Sequence, residues 1–521
     1  MLEKTTKSVS TSSGKLDPSW DNFVKYDAPA GLVVFLVAMP LCLGIALASG
    51  APLFAGIIAG IVGGIVVGGL SGSAVSVSGP AAGLTIIVLT AIQTTGSFKA
   101  FLAAVVLAGG MQILLGLAGA GAIGDYVPNS VIKGMLAAIG LVIILKQIPH
   151  ALGRDKDYEG DFSFFEASGA NTFTDVLTSI LNPGEGAVVI SFLSLAVLIF
   201  WDYWSAKGSK FALMVPGPLV VVVLGITVNN AFGIFVPWMK LTDPVHMVQL
   251  PMVSDLQFTL PDFTKFADPT IWTVALTIAI VASIETLLSI EAGDRIDPFR
   301  RLTSSRRELM AQGVGNIASG LVGGLPVTSV IVRTSANVSS GGRTKMATIF
   351  HGVLLLVAVL AVPQYLNWTP LASLAAVLIM VGYKLTKPKI YTSMLKLGWE
   401  QFLPFIVTVV AIVFTDLLKG VVIGLVVGVL FVIRANHRAA ISVVSQGDWY
   451  LMRFNKDMTF VNKSELRTKL NEVPENTTVM IDGTKAVYID RDIFEVVEDF
   501  QRSAPYKNIK VEVKRIDDRW R

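Results

Sequence analysis

Ser71-Gly-Ser-Ala-Val-Ser-Val-Ser-Gly-Pro-Ala-Ala-Gly83 and Gly323-Gly-Leu-Pro-Val-Thr-Ser-Val-Ile-Val-Arg-Thr-Ser-Ala-Asn337 are the two stretches that decide the fold of this sequence. Each approaches a single proline, Pro80 or Pro326, through glycine or hydroxyl residues, and a short apolar run follows. Proline suits the first turn of a helix, because its missing N–H would have no partner there. Both stretches therefore predict irregular backbone that leads into a short helix.

The sequence around both stretches is typical of a membrane protein. Hydrophobic residues make up 53% of the 521 positions and charged residues only 15%, whereas soluble domains average about 25% charged residues. Apolar runs of roughly 17–25 residues, the length of a helix that crosses the hydrocarbon core, recur along the chain. With the two interrupted stretches included, the pattern predicts about fourteen crossings. The net charge of +4 gives no reason to expect a nucleic-acid partner.

The two prolines occupy equivalent places in two halves of the chain. Pro80 lies in the third predicted crossing and Pro326 opens the tenth, which is the pattern of a 7+7 inverted repeat. Irregular backbone at membrane depth lines a cavity or is buried in protein. Two facing helix N-termini bring free N–H groups and partial positive charge to one point, which suits an anion. The alternative is that these glycines and serines only permit close helix packing.

Basic loop residues predict the orientation and the domain limits. Alternating the loops from a cytoplasmic N-terminus places one set inside the cell, namely those with Lys207, Lys210, Arg295, Arg300, Arg301, Arg306, Arg307, Arg343, Lys345, Lys384, Lys387, Lys389, Arg434 and Arg438. The longest opposite loop, 149–185, is acidic. We therefore predict a disordered cytoplasmic tail (1–27), a multi-pass inner-membrane transport domain (28–438) and a cytoplasmic domain (439–521).

Few ionisable residues lie within the predicted spans, where each is costly. Glu285 lies deep in the eighth crossing, with Ser289 one turn further along. These two side chains can bind Na⁺ through oxygen ligands, or Glu285 can carry a proton. A structural hydrogen bond to unwound backbone is the alternative. Arg333 either lends positive charge to an anion or pairs with Glu285 or Glu291. We interpret Asp416, at a turn between two spans, as structural.

No Walker motif, nucleophile–base arrangement or paired Cys-x-x-Cys appears in the sequence. The sequence therefore predicts a transport protein, with no enzyme activity and no cofactor other than Na⁺ or H⁺ as coupling ion.

Several motifs, taken in order, resemble those of the SulP family of inorganic anion transporters (sulfate permeases). They are Asp27-Ala-Pro-Ala-Gly-Leu with Val37-Ala-Met-Pro40, Gly79-Pro80, Val127-Pro128 to Lys133-Gly134, Glu308-Leu-Met-Ala-Gln-Gly-Val-Gly-Asn316, Asn337-Val-Ser-Ser-Gly-Gly-Arg-Thr344, and Thr415-Asp416-Leu-Leu. The resemblance implies two intertwined seven-helix repeats. Helices 1–4 and 8–11 would form a core domain that moves like an elevator against a gate domain of helices 5–7 and 12–14.

The same resemblance implies the site residues. An anion between helices 3 and 10 would contact Ser78, Gly79, Pro80, Ala81, Ala82, Pro326, Val327, Thr328, Ser329 and Arg333. A coupling cation would be bound by Glu285, Ser289 and Thr328, where bicarbonate-transporting members have Asp and a Thr four residues later. Leu41 replaces a Gln of many members, whereas Arg333 matches an arginine of sulfate-type members. The substrate, sulfate or bicarbonate, therefore stays open.

The C-terminal region resembles a short STAS domain, with predicted strands at 451–454, 479–482 and 509–513 and an amphipathic helix at 490–500. In the family this domain supports dimerisation and regulation, so we expect a homodimer. A module that serves only assembly is the alternative. For the whole chain, the alternatives to coupled transport are an uncoupled anion channel or exchanger, a voltage-responsive motor, a nucleobase transporter of the same architecture, and an anion sensor.

Overall fold

The structure is a computed structural model that describes residues 20–121, 127–155, 164–165, 171–207, 209, 211–212, 215–250, 258–361, 363–437 and 440–516, without the side chains of 432–437. The chain divides into two compact units, Met1–Leu425 and Val426–Arg521. Outside the described residues lie positions 1–19 of the predicted tail, Lys210, Arg438, and 156–163 and 166–170 of the acidic loop.

Fourteen helical segments within the described residues match the predicted crossings and confirm the fold class. They are α1 (Trp20–Ala48), α2 (Leu53–Leu70), α3 (Ala82–Thr95), α4 (Phe98–Leu117), α5 (Asn129–Ala151), α6 (Glu185–Ala206), α7 (Gly217–Phe235), α8 (Pro269–Ile296), α9 (Ser305–Leu321), α10 (Ile331–Ser339), α11 (Met346–Ala361), α12 (Leu371–Leu385), α13 (Trp399–Phe414) and α14 (Leu417–His437). Short helices at Thr172–Leu181, Pro363–Leu366 and Pro388–Lys396 lie between them.

The two interrupted stretches form a small sheet. Strand β1 (Ser78–Pro80) pairs antiparallel with β2 (Val327–Ser329), and Gly79 lies opposite Thr328. The helices begin after the prolines rather than at them, at Ala82 for α3 and at Ile331 for α10. The two extended segments give each other backbone hydrogen bonds, which buried peptide groups need. This pairing explains why both helices start later than predicted.

Close glycine contacts show the two-fold relation between the halves. Each helix of one half corresponds to the helix seven places along the chain in the other half. By this correspondence the α4–α9 contact is matched by the α11–α2 contact, and the α5–α12 contact is matched by itself. At these contacts three glycine pairs bring backbones together: Gly109–Gly313, Gly352–Gly64 and Gly140–Gly382. A Cβ on either member of each pair would lie 3.0 Å or less from the partner's backbone or from a side chain of the partner's helix. The glycines therefore set how closely the repeats intertwine.

The buried apolar side chains form two main clusters in the membrane unit. One joins α1 to α4 with α8, α9 and α11. The other joins α5, α12 and α13 and includes the faces of α1, α8 and α10 that meet them. The first cluster is made mainly of helices that the resemblance assigns to the core and the second mainly of gate helices, but α10, a core helix by the resemblance, contributes its buried apolar residues to the second. We use the names core and gate below for the helices as the resemblance assigns them.

The N-terminal boundary differs from the predicted one. α1 begins at Trp20, so residues 20–27 are helical rather than part of a disordered tail. The reason is Asp27, which is buried: its carboxylate accepts hydrogen bonds from the backbone N–H groups of Arg343 and Thr344 and from the Thr344 hydroxyl. These bonds fasten the first turns of α1 to the loop after α10.

A His–Asp–His cluster joins two segments of the gate at the end of α5. The Nδ1 atoms of His150 and His246 each lie 2.5 Å from a different carboxylate oxygen of Asp155. His150 belongs to α5, and His246 to the loop that follows α7. Burial acts to raise the pKa of Asp155, but the two histidine hydrogen bonds outweigh burial and lower it. The Asp155 hydrogen bond raises the pKa of His246.

The second unit contains a four-stranded sheet in the order β3 (Ile441–Gln446), β4 (Trp449–Phe454), β5 (Thr478–Asp482), β6 (Lys510–Lys514), with helices α15 (Lys463–Asn471) and α16 (Arg491–Ser503). The β3–β4 pair is antiparallel and the other two pairs are parallel. Ile493, Val496 and Val497 form the buried face of α16. The predicted strands and amphipathic helix are present, and β3 is an additional edge strand.

The glycine contact between α4 and α9 generates a first prediction. Gly109→Leu should destabilise the protein by about 1–3 kcal/mol, because its Cβ would lie 2.5 Å from the Gly313 carbonyl oxygen. The neighbouring Gly110→Leu is the matched control, since a Cβ there meets nothing within 4 Å. Melting temperatures of the purified proteins in detergent test this. Equal melting temperatures for the two variants would contradict the packing role.

The His–Asp–His cluster predicts a pH dependence. Because the pKa of His246 is raised on folding, its contribution to stability is complete below the unfolded pKa of about 6.5 and is lost as pH rises through the folded pKa. The melting temperature should therefore fall between about pH 6 and pH 8. In His246→Gln this fall should be smaller. An unchanged pH profile in that variant would argue against the assignment.

Candidate functional site

A cavity of about 230 Å³ lies between core and gate helices. On the core side it is lined by the first residues of α3, by Glu285 and Ser289 of α8, and by Val330–Val332 at the start of α10. On the gate side it is lined by Ile139 and Val142 of α5 and by the turn between α13 and α14. The walls are thus mainly apolar, and the helix starts, Glu285, Ser289 and the turn provide the polar groups.

Both half-helices start at this cavity, as the sequence predicts. Ala82 and Gly83 open α3, and Ile331 and Val332 open α10. The first N–H groups of a helix have no partner within it, and the helix dipole adds partial positive charge there. The arrangement can therefore bind an anion through backbone donors, without a positively charged side chain.

Glu285 lies directly beside the start of α3. The backbone N–H of Gly83 donates a hydrogen bond to its carboxylate, while its Oε2 has no partner among the described residues. A Cβ on Gly83 would lie 2.9 Å from Oε1 of Glu285, so a larger residue there would displace the carboxylate. Ser289 lines the same cavity one turn along α8. A carboxylate with an open lone pair and a nearby hydroxyl can bind a proton or a small cation.

The predicted hydroxyl ligands have other partners. The Ser78 hydroxyl accepts a hydrogen bond of 2.7 Å from Nε2 of Gln312, and the hydroxyls of Ser329 and Ser76 are 2.6 Å apart. Thr328 is fully buried and its hydroxyl donates to the Ser329 carbonyl. Three of the predicted site residues line the cavity, namely Ala82, Glu285 and Ser289. The others do not line it: Ser78, Gly79, Pro80, Ala81, Pro326, Val327, Thr328, Ser329 and Arg333.

Arg333 occupies neither of its predicted places. It is fully buried beside α1 and α2, where its Nη2 donates to the Cys42 sulfur at 3.2 Å. Its Nη1 lies so close to Gly79 that a Cβ there would be 2.1 Å away. Glu291 pairs instead with Arg295, at 2.8 Å. Glycine in β1 opens the space into which Arg333 turns, away from the cavity.

Sequence reasoning missed Lys419 and the position of Asp416. Both line the cavity at the turn between α13 and α14, with Nζ of Lys419 2.8 Å from Oδ2 of Asp416. Asp416 also accepts a hydrogen bond from the backbone N–H of Lys419, which caps α14 and fits the predicted structural role. The Lys419 side chain is 72% exposed. Only the fold brings this turn, far along the chain, opposite the half-helices.

Comparisons with known proteins agree with this architecture. The sequence model of the sulfate permease family matches residues 24–410. A putative sulfate transporter of Bacillus subtilis, YvdB, is 29% identical over 79% of this chain and 74% of that protein. The bicarbonate transporter BicA of a Picosynechococcus species is 27% identical over 69% of this chain, and the match spans 61% of BicA.

Two solved structures share the fold. The murine Slc26a9 anion transporter, in its inward-facing state, gives a TM-score of 0.68 at 16% identity, over 97% of this chain and 87% of that one. The transmembrane domain of a cyanobacterial BicA gives 0.53 at 23% identity, over 79% of this chain and 98% of that one.

The matched region of the sequence contains both half-helices, Glu285 and the glycine contacts between the repeats. The named relatives are transporters, which confirms the prediction of a transport protein rather than an enzyme. Because the family model covers nearly all of the membrane unit, this chain belongs to the sulfate permease family.

Proposed function

We propose that this protein carries a small inorganic anion, sulfate or bicarbonate, across the inner membrane by secondary active transport coupled to Na⁺ or H⁺. One observation carries the proposal: a carboxylate with an unpartnered oxygen, that of Glu285, shares a cavity with the N-terminal turns of α3 and α10. The choice of anion is supported by relatives named as sulfate and bicarbonate transporters.

The shared cavity makes the two ligands depend on each other. A charged Glu285 repels an anion at the half-helix starts, and this repulsion is strong because water screens it poorly inside the protein. A cation or proton on Glu285 removes the repulsion and so raises the affinity for the anion. By reciprocity the bound anion raises the affinity for the cation by the same factor. Coupled transport follows from this mutual dependence.

The ligands available to a cation bear on its identity. Glu285 and Ser289 line the cavity, whereas Thr328, the third predicted ligand, does not. A proton needs only the carboxylate. Sodium needs further oxygen ligands, which backbone carbonyls, water or the anion itself would supply. Either Na⁺ or H⁺ therefore suits the site as the coupling ion, and uptake driven by a Na⁺ gradient or by a pH gradient distinguishes them.

Movement of the core against the gate would carry the bound ions. The cavity lies between the two groups of helices, and the gate side presents Ile139, Val142 and Ile412. Apolar side chains of this kind form no hydrogen bonds that would hold the core in one place. An elevator motion would therefore break few polar contacts on this side of the cavity.

The proposed setting is an inner-membrane homodimer with both termini in the cytoplasm. The backbone N–H of Arg343, after α10, donates to Asp27 near the start of α1, and Arg301, after α8, donates to the Arg343 carbonyl. Basic residues gathered at this end of α1 support a cytoplasmic N-terminus by the positive-inside rule. The dimer is implied by the STAS-like unit.

Uptake into proteoliposomes tests the proposal. Radiolabelled sulfate and bicarbonate would be compared with an inward Na⁺ gradient, with a pH gradient and with neither. Gradient-driven accumulation of one anion is the expected result. Equilibration without accumulation would indicate a channel, and no flux at all would favour a sensor.

Glu285→Gln should abolish cation-driven accumulation. Glutamine keeps the size of the side chain and removes the charge, so the anion should bind without any cation and only exchange should remain. Glu291→Gln is the matched control, because Glu291 lies on the same helix and pairs with Arg295 outside the cavity lining. Both variants should retain the wild-type melting temperature. Normal gradient-driven uptake by Glu285→Gln would remove Glu285 from the mechanism.

Lys419→Ala should weaken the binding of a divalent anion more than that of a monovalent one. Loss of an exposed positive charge at the cavity should raise the KM for sulfate by a factor between about 1.4 and 5, since each charge interaction at such a site contributes roughly 0.2–1 kcal/mol. The KM for bicarbonate should change by less. Lys389→Ala, an exposed lysine outside the cavity lining, is the control. Equal KM values for Lys419→Ala and the wild type would contradict a role for Lys419.

A further inference from the structure

Two buried side-chain amides form a bridge through the interior of the core. Asn316 of α9 donates from Nδ2 to Oε1 of Gln112 on α4 at 2.6 Å. Gln112 in turn donates from Nε2 to the Ser283 hydroxyl on α8 at 3.3 Å. Both amide side chains are fully buried. We call the chain of contacts from Val327 through Asn316 and Gln112 to Ser283 the amide bridge.

The amide bridge ends close in sequence to the two halves of the proposed site, at Val327 before the start of α10 and at Ser283 before Glu285. Asn316 accepts from the N–H of Val327 at 2.6 Å and donates to its carbonyl at 3.0 Å, so it holds β2 just before α10 begins. Ser283 precedes Glu285 by two residues on α8. A second contact runs in parallel, since the Ser329 N–H donates to the Thr286 hydroxyl at 3.3 Å. The anion-binding half-helix is thus fixed to the carboxylate helix on both sides of Glu285.

The internal repeat shows that helix packing alone does not require these amides. The contact Gly109–Gly313 between α4 and α9 corresponds to Gly352–Gly64 between α11 and α2. Three residues beyond each glycine, the first pair of helices has Gln112 and Asn316, and the second has Leu355 and Val67. All four side chains are fully buried. A corresponding close glycine contact, with a π-helical turn at Gly63–Val67, is therefore formed with apolar side chains where no carboxylate helix has to be connected.

Retaining two amides at this depth is costly unless each of their groups has a partner. In the amide bridge, the carbonyl oxygen and the NH₂ group of each amide side chain make at least one hydrogen bond. Such a network fixes geometry, because a shift of β2 relative to α8 would break several buried hydrogen bonds together.

We infer that Gln112 and Asn316 are positioning residues that couple the anion-binding start of α10 to Glu285. The inference rests on the proposed function and names the residues through which its two ligands affect each other. The amides contact neither ligand. They keep the start of α10 and the Glu285 carboxylate at a fixed separation, so that a ligand bound at one changes the binding affinity at the other.

The double variant Gln112→Leu with Asn316→Val tests this inference. It copies the apolar pair of the other repeat, so helix packing should be retained. The measured quantity is the anion KM in proteoliposomes at saturating and at low coupling cation. In the wild-type protein the two KM values should differ about tenfold or more. In the double variant the ratio should fall to about threefold or less, with the melting temperature and the uptake rate at saturating anion within a factor of about two.

Two further variants keep the test decisive. Ser283→Ala cuts the amide bridge only at α8, so it should lower the KM ratio even if the double variant fails to fold. Thr408→Val is the matched control, because it removes a buried hydrogen bond of 2.6 Å from α13, away from the bridge, and should leave the ratio unchanged.

The outcomes separate this inference from the proposed function. Wild-type coupling that persists undiminished in Ser283→Ala and in the folded double variant would overturn the inference and leave the proposed function intact. Wild-type uptake that no cation alters would overturn the proposed function, and the inference with it, since no second site would remain to be coupled.

Discussion

Backbone that leaves its helix inside a bilayer has to find hydrogen bonds within the protein, and the rest of this structure depends on how β1 and β2 meet that requirement. Three residues from each half of the chain pair antiparallel, with Gly79 opposite Thr328. The pairing fixes where α3 and α10 begin, and so where their free N–H groups lie. The contact between Gly83 and Glu285 follows, because it needs α3 to start at this depth.

One helix, α9, holds this strand pair through side-chain hydrogen bonds, whereas its counterpart in the other repeat, α2, contacts it through backbone, at Gly63 against Ser78 and at Ala55 against Leu325. Along one face of α9, Glu308 accepts a hydrogen bond from Ser71. Gln312 and Asn316, at the same spacing of four, contact β1 and β2. The corresponding helix, α2, is made of glycine and apolar residues over most of its length. The fold is therefore symmetric in its packing and asymmetric in its polar contacts, which suits the two different ligands proposed for the site.

The sequence was sufficient for the crossings, the half-helices and the depth of Glu285, because these follow from apolar length, proline position and the scarcity of charge in the spans. It was insufficient for side-chain direction. In an extended segment successive side chains point to opposite faces, so whether Ser78 faces the cavity or Gln312 depends on α9. The direction of Arg333 depends on the space at Gly79, and the role of Lys419 on a turn far along the chain. Each of these is a tertiary contact that local pattern does not encode.

The charges in the site also bear on stoichiometry. If the core crosses the membrane with its ligands, the charge it carries changes by the sum of the bound anion and cation, and an unbalanced charge is costly in a medium that screens poorly. One monovalent anion with one Na⁺ or H⁺ on Glu285 adds no net charge. Sulfate with the same single cation adds one negative charge. Of the two carboxylates that line the cavity among the described residues, Glu285 and Asp416, the second is already paired with Lys419. Under the proposed mechanism, bicarbonate with one cation therefore leaves the charge of the core unchanged. Sulfate would require a second cation, or a positive side chain that moves with the core, to balance its second charge. Lys419 does not meet this requirement, because it belongs to the gate.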